Sequence, residues 1–404
     1  MSFFKEKLEQ EINLVLYFGN VSVAADLVFF KTNNAPRLIY SKRLPLAISE
    51  KVSKNKLSVL ALKILEETLA CVAKEGFEQM RKLGLEKEKV RQTFCVLSSP
   101  WYISKTKILK IENSEPIFIN KNFIDSLLKH EVDLFTKEVT ERKTGALLKN
   151  DIDVLEKRII QTKLNGYNTT DPYQKRARQI ELAIFLSFIS KEIATSIEQI
   201  VGKFFYSKNL AFFSFSLVEY SVIGDIFSNE SDYVFLDISS EVTDISSVEK
   251  HVLMETTSFP FGRNHLIKQV AEELKVLPEI ALSYIKMNSR GHVEESSAKS
   301  VATASARVSK EWSAHFFNAF TDVAKGSTPS KIFVTVDSDV APLFISTIKE
   351  NLSLAQKNSV DFQAIPVVLL DEEKLSQFVE FDAQSDRDPF LALESIFFNK
   401  LFNE

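Results

Sequence analysis

Residues Asp232–Gly262 read DYVFLDISSEVTDISSVEKHVLMETTSFPFG. An apolar run, Tyr233 to Ile238, carries an acid, Asp237, close to its end. A polar turn follows, then Thr243-Asp244, a second strand-like run from Ile245 to Val248 and a third from Val252 to Phe259. Phe261-Gly262 closes the block, and an amphipathic helix begins near His265. Short apolar runs separated by turn residues and followed by helical periodicity predict strand, turn, strand, strand, helix. That order holds Asp237 at the mouth of a sheet.

The chain around this block has 404 residues, more than one ordinary core accommodates, so two or more domains are expected. Its 50 basic and 54 acidic residues give a net charge of −4, and no bulk field favours nucleic acid or an anionic membrane. Cys71 and Cys95 are the only cysteines, too few for a disulfide framework or a cysteine-based zinc site. The five histidines are scattered without metal-ligand spacing. The opening MSFFKEKLEQE carries charges where a signal peptide needs an apolar core. No run approaches the roughly 20 apolar residues that span a bilayer. The longest, Ile180 to Ile189, is interrupted by Glu181 and stops at Lys191. A cytoplasmic chain is expected.

Glycine is the informative residue. There are 10, where average usage predicts about 28. Loops that cradle phosphate need glycine for positive φ and close backbone approach, so this chain has few places to build one. Phenylalanine, at 33, is abundant and suits large cores and interfaces.

Upstream, Asn13 to Phe30 reads as a β-hairpin turning at Gly19-Asn20, and Arg37 to Leu46 as a further strand. Lys56 to Leu83 has helical periodicity, with Leu57, Leu60, Ile64, Leu65 and Leu69 on one face. Val90 to Leu97 and Lys107 to Ile111 suggest two strands joined by a loop containing Trp101, which reads as a core or domain-boundary residue. A helix over Asn122 to Glu141 precedes two long strands, Val154 to Tyr167 and Ala177 to Ser190, and a helix from Lys191 to Phe205. Downstream lie a helical region from Pro278 to Met287 and a long helix over Glu294 to Ala324, whose Trp312, Phe316, Phe317 and Phe320 read as core. A strand at Lys331 to Val336, a helix from Pro342 to Leu352, a strand over Phe362 to Leu370 and an amphipathic helix from Asp388 to Phe402 complete the chain.

This succession resembles the actin-like ATPases, in the FtsA and PilM branch. The second phosphate motif of that family is roughly Asp-Ile-Gly-Gly-Gly-Thr-Thr-Asp, followed by an aromatic-Gly pair and a helix. Asp237, Ile238, Thr243, Asp244 and Gly262 match it, while Ser239, Ser240 and Glu241 stand where the glycines belong. In the first motif Gly19 and Ser22 match, with Asn20 in the same turn, and Tyr17 replaces the aspartate that helps hold the hydrated metal. The family's adenosine-contacting Gly-Gly turn falls on Asp337 and Ser338. The resemblance implies an α/β fold of two actin-like domains around a central cleft, with an α-β-β-α insertion in the first. It places the first domain at 1–120, the insertion at 121–208 and a return at 209–230. The second domain follows at 231–370, with a helical part over about 275–325, and 371–404 closes the first.

The nucleotide site this implies comprises Gly19, Asn20, Ser22, Asp237, Ser239, Ser240, Thr243, Asp244, Gly262, Asp337 and Ser338, with Asp237 as a magnesium ligand where nucleotide binds. Asp237, Thr243 and Asp244 equally suit a bland role, capping and turning the hairpin. Glu241 is expected among the phosphate oxygens, where like charges about 4 Å apart cost on the order of 4 kcal/mol at an effective dielectric near 20. Three motifs altered together favour a pseudo-ATPase without a cofactor over one that binds ATP and magnesium. The leading expectation is a cytoplasmic adaptor, at the inner face of the membrane, that organises a membrane-associated division or type IV pilus machine. Strand edges of the insertion are its candidate docking sites. The rival is an active ATPase whose filament formation or partner binding follows nucleotide. A sugar-kinase-like phosphotransferase is the weakest reading. FtsA also carries a membrane-binding C-terminal helix. Here the segment has one lysine and no arginine, so packing against the first domain is favoured over membrane contact.

Overall fold

A computed structural model describes residues 9–20, 22–46, 54–86, 88–142, 151–205, 209–289, 292, 294–325, 328–357 and 365–404. The chain opens with three antiparallel strands, β1 (Gln10–Phe18), β2 (Ser22–Lys31) and β3 (Arg37–Pro45). Helix α1 (Lys54–Cys71), a π-helical turn (Val72–Gly76) and α2 (Phe77–Lys82) then carry it across to β4 (Val90–Leu97), parallel to β1. One continuous helix was expected over that connection, so the π turn is a correction.

From β4 the chain leaves this sheet. β5 (Tyr102–Ile119), α3 (Lys121–Arg142), β6 (Ile152–Leu164), β7 (Tyr167–Asn168) and β8 (Lys175–Ser190) build a second sheet, ordered β5-β8-β6-β7. The face of β8 bearing Ile180, Leu182, Ile184, Leu186 and Phe188 is covered by Ile124, Phe135 and Val139 of α3. β5 is far longer than the strand expected at Lys107 to Ile111. It pairs with β8 from Tyr102 onward, so this sheet starts ahead of residue 121. Helix α4 (Lys191–Phe205) buries Ile193, Ile197, Ile200 and Val201 in the core beneath β1 and α1 rather than on the inserted sheet. β9 (Leu210–Ser214) returns to the first sheet, parallel to β4, and α5 (Phe215–Ile226) leads to the second domain.

There the quoted block forms β10 (Tyr233–Ile238), β11 (Thr243–Glu249), β12 (Val252–Phe259) and α6 (Arg263–Leu274). Helices α7 (Pro278–Ser289) and α8 (Glu295–Ala324) follow, then β13 (Lys331–Val336), parallel to β10, α9 (Ala341–Lys357) and β14 (Val367–Leu369). Of the strand expected over Phe362 to Leu370, residues 362–364 lie outside the described residues. Trp312 and Phe316 are core and Phe320 packs beside them, but Phe317 is exposed, which corrects its core assignment. Short α10 (Glu372–Leu375) and β15 (Glu380–Phe381) lead to α11 (Pro389–Asn403).

The first sheet runs β15-β3-β2-β1-β4-β9 and the third β12-β11-β10-β13-β14. Without edge strand β15, each is an antiparallel meander of three strands extended by parallel strands beyond its first. The same unit is therefore used twice. α11 starts at Asp388, whose Oδ1 accepts from the amides of Phe390 and Leu391, with Pro389 at the first helical position. Phe390, Leu393 and Phe397 are buried over β1 and β2, so the face considered for membrane contact is spent inside the protein.

Candidate functional site

Duplication makes the sheet ends comparable. Tyr17 and Asp237 each stand one residue before the end of the first strand of their sheet. Each strand runs into a turn closed the same way, by Gly19 N–H to the Ser22 carbonyl (3.0 Å) and Ser239 N–H to the Val242 carbonyl (3.0 Å). The two ends face each other, since the Asp237 charge acts on the Tyr17 phenol.

On the first-domain side the space is filled. The buried Tyr17 ring lies 5.9 Å from Phe215 and 5.2 Å from Phe390, and the Arg43 guanidinium sits 4.9 Å above it. Cross-strand register explains the Arg43 contact: Tyr17 pairs with Ala24 and Ala24 with Arg43, so their side chains share a face. Arg43 donates through Nη1 to Ser22 Oγ (2.7 Å) and through Nε to Asp388. Ser22, expected to meet phosphate, is thus held by an arginine. A Cβ at Gly19 would stand 2.6 Å from Tyr17 Cε1 and 2.8 Å from the Ser22 carbonyl, so this glycine serves a turn closed on the tyrosine. Trp101, buried as expected, donates Nε1–H to the Gly19 carbonyl (2.8 Å). Asn20 is buried in the same turn, and its Nδ2 has no hydrogen-bond partner among the described residues.

The second-domain turn is committed to helix α6. Arg263 N–H donates to the Ser239 carbonyl (3.0 Å) and Asn264 N–H to that of Ser240 (2.7 Å), which uses amides at a helix start that otherwise attract anions. Gly262 allows this approach, for its Cβ would fall 2.3 Å from the Ser239 carbonyl oxygen. Ser239 Oγ turns onto the Val242 carbonyl (2.9 Å). Glu241 does not point among phosphate positions as expected. It accepts from Asn264 Nδ2 (3.0 Å) and Lys268 Nζ (3.2 Å), because α6 lies beside the turn. Thr243 follows the bland reading: its hydroxyl donates to the Phe261 carbonyl (2.7 Å) and accepts from Trp312 Nε1 (3.1 Å).

Asp237 is 4% exposed and its Oδ1 has no hydrogen-bond partner among the described residues. Asp244 pairs with it across β10 and β11, and Glu219, 0% exposed, reaches the same region from α5. Burial pushes all three carboxyls up, Asp244 to about 6 and Glu219 to about 8, and the mutual repulsion of the acids raises Asp237 and Glu219 further. Glu219 Oε1 accepts from Thr335 Oγ1 (2.5 Å), a bond from the helix before β10 to the core of the second-domain sheet. Asp337 is not free to enter the cleft alone. Arg263 Nε lies 3.3 Å from it and also holds Asp339 through two contacts (3.1 and 2.5 Å), while Ser338 is exposed. Beside Asp339, α6, α7, α8 and α9 enclose a cavity of ≈ 270 Å³ lined by Leu266, Ile285, Val301 and Leu343.

Asp237, Asp244, Glu219 and Asp337 therefore converge, with Arg43 the cation facing Asp237 and Asp337 from the first domain. Ser239, Ser240 and Thr243 are brought to the same end of the sheet but bond within it. Sequence reasoning missed Arg43 and Glu219. Glu219 lay in the return to the first domain, where Val218-Glu219-Tyr220-Ser221 resembles the family's segment before the second motif, and Arg43 gave no local signal. Set against a nucleotide and its metal, the unpartnered Asp237 oxygen suits a cation. The first-motif side offers a packed phenol ring and an arginine already engaged.

No family model matches the sequence, and no curated protein matches it. Among solved structures it is similar to the PilM-PilN type IV pilus biogenesis complex at 12% identity and a TM-score of 0.62, over 99% of this chain and 100% of that one. It is also similar to the ethanolamine utilization protein EutJ from Carboxydothermus hydrogenoformans, at 12% identity and a TM-score of 0.44, over 97% and 92% of the two chains. A Bacteroides thetaiotaomicron protein with an actin-like ATPase fold gives 12% and 0.41, over 98% of each. At such identity the likeness is one of fold, and this chain has the actin-like ATPase fold.

Proposed function

Starting from an actin-like frame, we propose that this protein is a PilM-like adaptor of a type IV pilus machine, whose cleft does not take ATP. One observation carries the reading: Tyr17, standing where its fold equivalent is Asp237, is a buried ring packed between Phe215 and Phe390 under Arg43. A hydrated metal needs a carboxylate and open space there, and finds neither. On this reading the chain organises its machine through protein contacts at the cytoplasmic face of the membrane. Among the described residues no helix is long and apolar enough to cross one.

The solved complex joins PilM with PilN, and the corresponding partner here is a membrane-associated pilus protein. The inserted sheet offers it a place. β6 is paired with β8 on one side; on the other, β7 pairs with Lys163 and Leu164 and the Thr169 N–H donates to the Thr162 carbonyl (2.9 Å). A cavity of ≈ 660 Å³ opens beside that part of β6, lined by Ile159, Ile160, Gln161, Thr162 and Asn168–Thr170. On this reading an extended segment of the partner docks alongside β6 in that cavity. The rival, an ATP-controlled switch, draws on the unpartnered Asp237 oxygen.

Co-purification of the full chain with each membrane-anchored pilus protein of the same cell, with and without ATP and magnesium, tests the proposal. Capture that ignores nucleotide supports the adaptor. Capture that requires ATP refutes it.

A further inference from the structure

Two acids outside the cleft have no assigned work. Asp26 on β2 and Glu394 on α11 are each 0% exposed; among the described residues neither Glu394 carboxyl oxygen has a hydrogen-bond partner, and Asp26 faces only the Ser41 hydroxyl across the strands. They belong to one seam. Val15 pairs with Asp26 and Asp26 with Ser41, which puts Asp26 on the same sheet face as Tyr17 and Arg43, the face that α11 covers. Around Glu394, α11 buries Phe390, Leu391, Phe397 and Phe398 against that face. The Ser395 hydroxyl is also buried and, among the described residues, unpartnered.

The charges acting on the pair do not balance. Asp388 and Asp386, from the segment entering α11, repel it, and Asp388 already takes the Arg43 Nε donor. Tyr17 on β1 and Cys95 on β4 also lie within reach of Glu394, and both are neutral thiol or phenol groups pushed up by burial. Two ionised carboxylates, repelled by Asp388 and Asp386, cannot share such a buried site with one committed arginine and the Ser41 hydroxyl.

We propose that Asp26 and Glu394 hold at least one proton between them at neutral pH, and that this proton is a condition for α11 to dock on the first sheet. Burial, then repulsion from the neighbouring acids, pushes both carboxyls well up, against a pull from Arg43 and, for Asp26, a larger one from Ser41. The sign follows. A carboxyl raised in the folded state contributes stability that is fully present below the unfolded value near 4 and lost as pH rises towards the folded value. Raising pH therefore loosens the C-terminal helix, and with it Phe390, which packs on Tyr17 at the cleft. The seam is a proton-gated latch.

The test compares the full-length chain with the Asp26→Asn, Glu394→Gln double variant in equilibrium unfolding across neutral and alkaline pH. Both replacements keep shape and cannot ionise. The unfolding constant of the natural chain should rise with pH more steeply than that of the variant, by about tenfold per pH unit for each proton held. Parallel profiles would overturn the proposal. Should the variant fail to fold, hydrogen exchange of residues 389–403 in the natural chain decides. Protection there should fall with pH beyond the change in intrinsic exchange rate, and exchange that follows the intrinsic rate alone would overturn the latch.

Discussion

Tyr17 decides how the cleft is read, and its environment makes a quantitative expectation. Tyr17→Asp restores the carboxylate expected of the first motif but removes a ring packed against Phe215, Phe390 and Arg43. It also places a charge opposite Asp237. Losing a buried aromatic costs about 3–5 kcal/mol, and the new acid adds to that at neutral pH. Chemical denaturation should show the loss, and a variant as stable as the parent would mean the space is open after all. Thr243→Val tests the hairpin role of the threonine at the second motif. It strands the Trp312 indole N–H in the core, for an expected loss of about 1–3 kcal/mol in the same assay. At this scale the sequence exposed the anomaly at residue 17 without its consequence. Arg43 comes from β3, and only strand register places it over Tyr17. Glu241 looked like a charge aimed at phosphate because nothing local says that α6 will lie beside the turn and offer Lys268.

Elements were more legible than side-chain roles. The β10–β12 meander and α6 follow the sequence pattern closely, because short apolar runs and the turn at Ser239–Val242 act locally. The sequence pattern cuts β5 short because Glu112, Asn113, Ser114, Glu115 and Pro116 look like a breaker. The sheet absorbs them as an irregularity, with register shifting between Glu112 and Ile117 before pairing with β8 resumes. α4 continued the insertion in sequence, yet its apolar face found the larger core under β1. Gly262→Ala belongs to this scale, since its Cβ would meet the backbone of Ser239 and Ser240. The α6 start must then move off the turn. Overpacking of this kind costs about 1–3 kcal/mol, and a thermal transition unchanged from the parent would refute the close approach.

The whole molecule is a duplicated α/β unit with a third sheet inserted, and its interior buries the acids Asp26, Glu156, Glu219, Asp237, Asp244 and Glu394. With Glu219 pushed up to about 8 and Asp244 to about 6, the folded state holds protons that the unfolded chain releases near pH 4. Stability from these groups is fully present below that value and declines as pH rises through 6 and 8. Each proton released costs about 1.4 kcal/mol per pH unit. The melting temperature should therefore fall between about pH 5 and pH 9, and Glu219→Gln should flatten the alkaline part of that fall. A melting temperature that rises over this range would contradict the carboxyl assignments. Glycine scarcity, a property of composition alone, points to altered phosphate loops. The direction in which each replacement turns is settled by tertiary contacts.

The most direct test of the account is calorimetric titration of the full-length protein with ATP and magnesium, repeated on Asp237→Ala. A cleft filled by Tyr17, Phe390 and Arg43 predicts no saturable heat at millimolar nucleotide for either protein. Micromolar binding that Asp237→Ala abolishes would contradict it and make the protein a nucleotide switch.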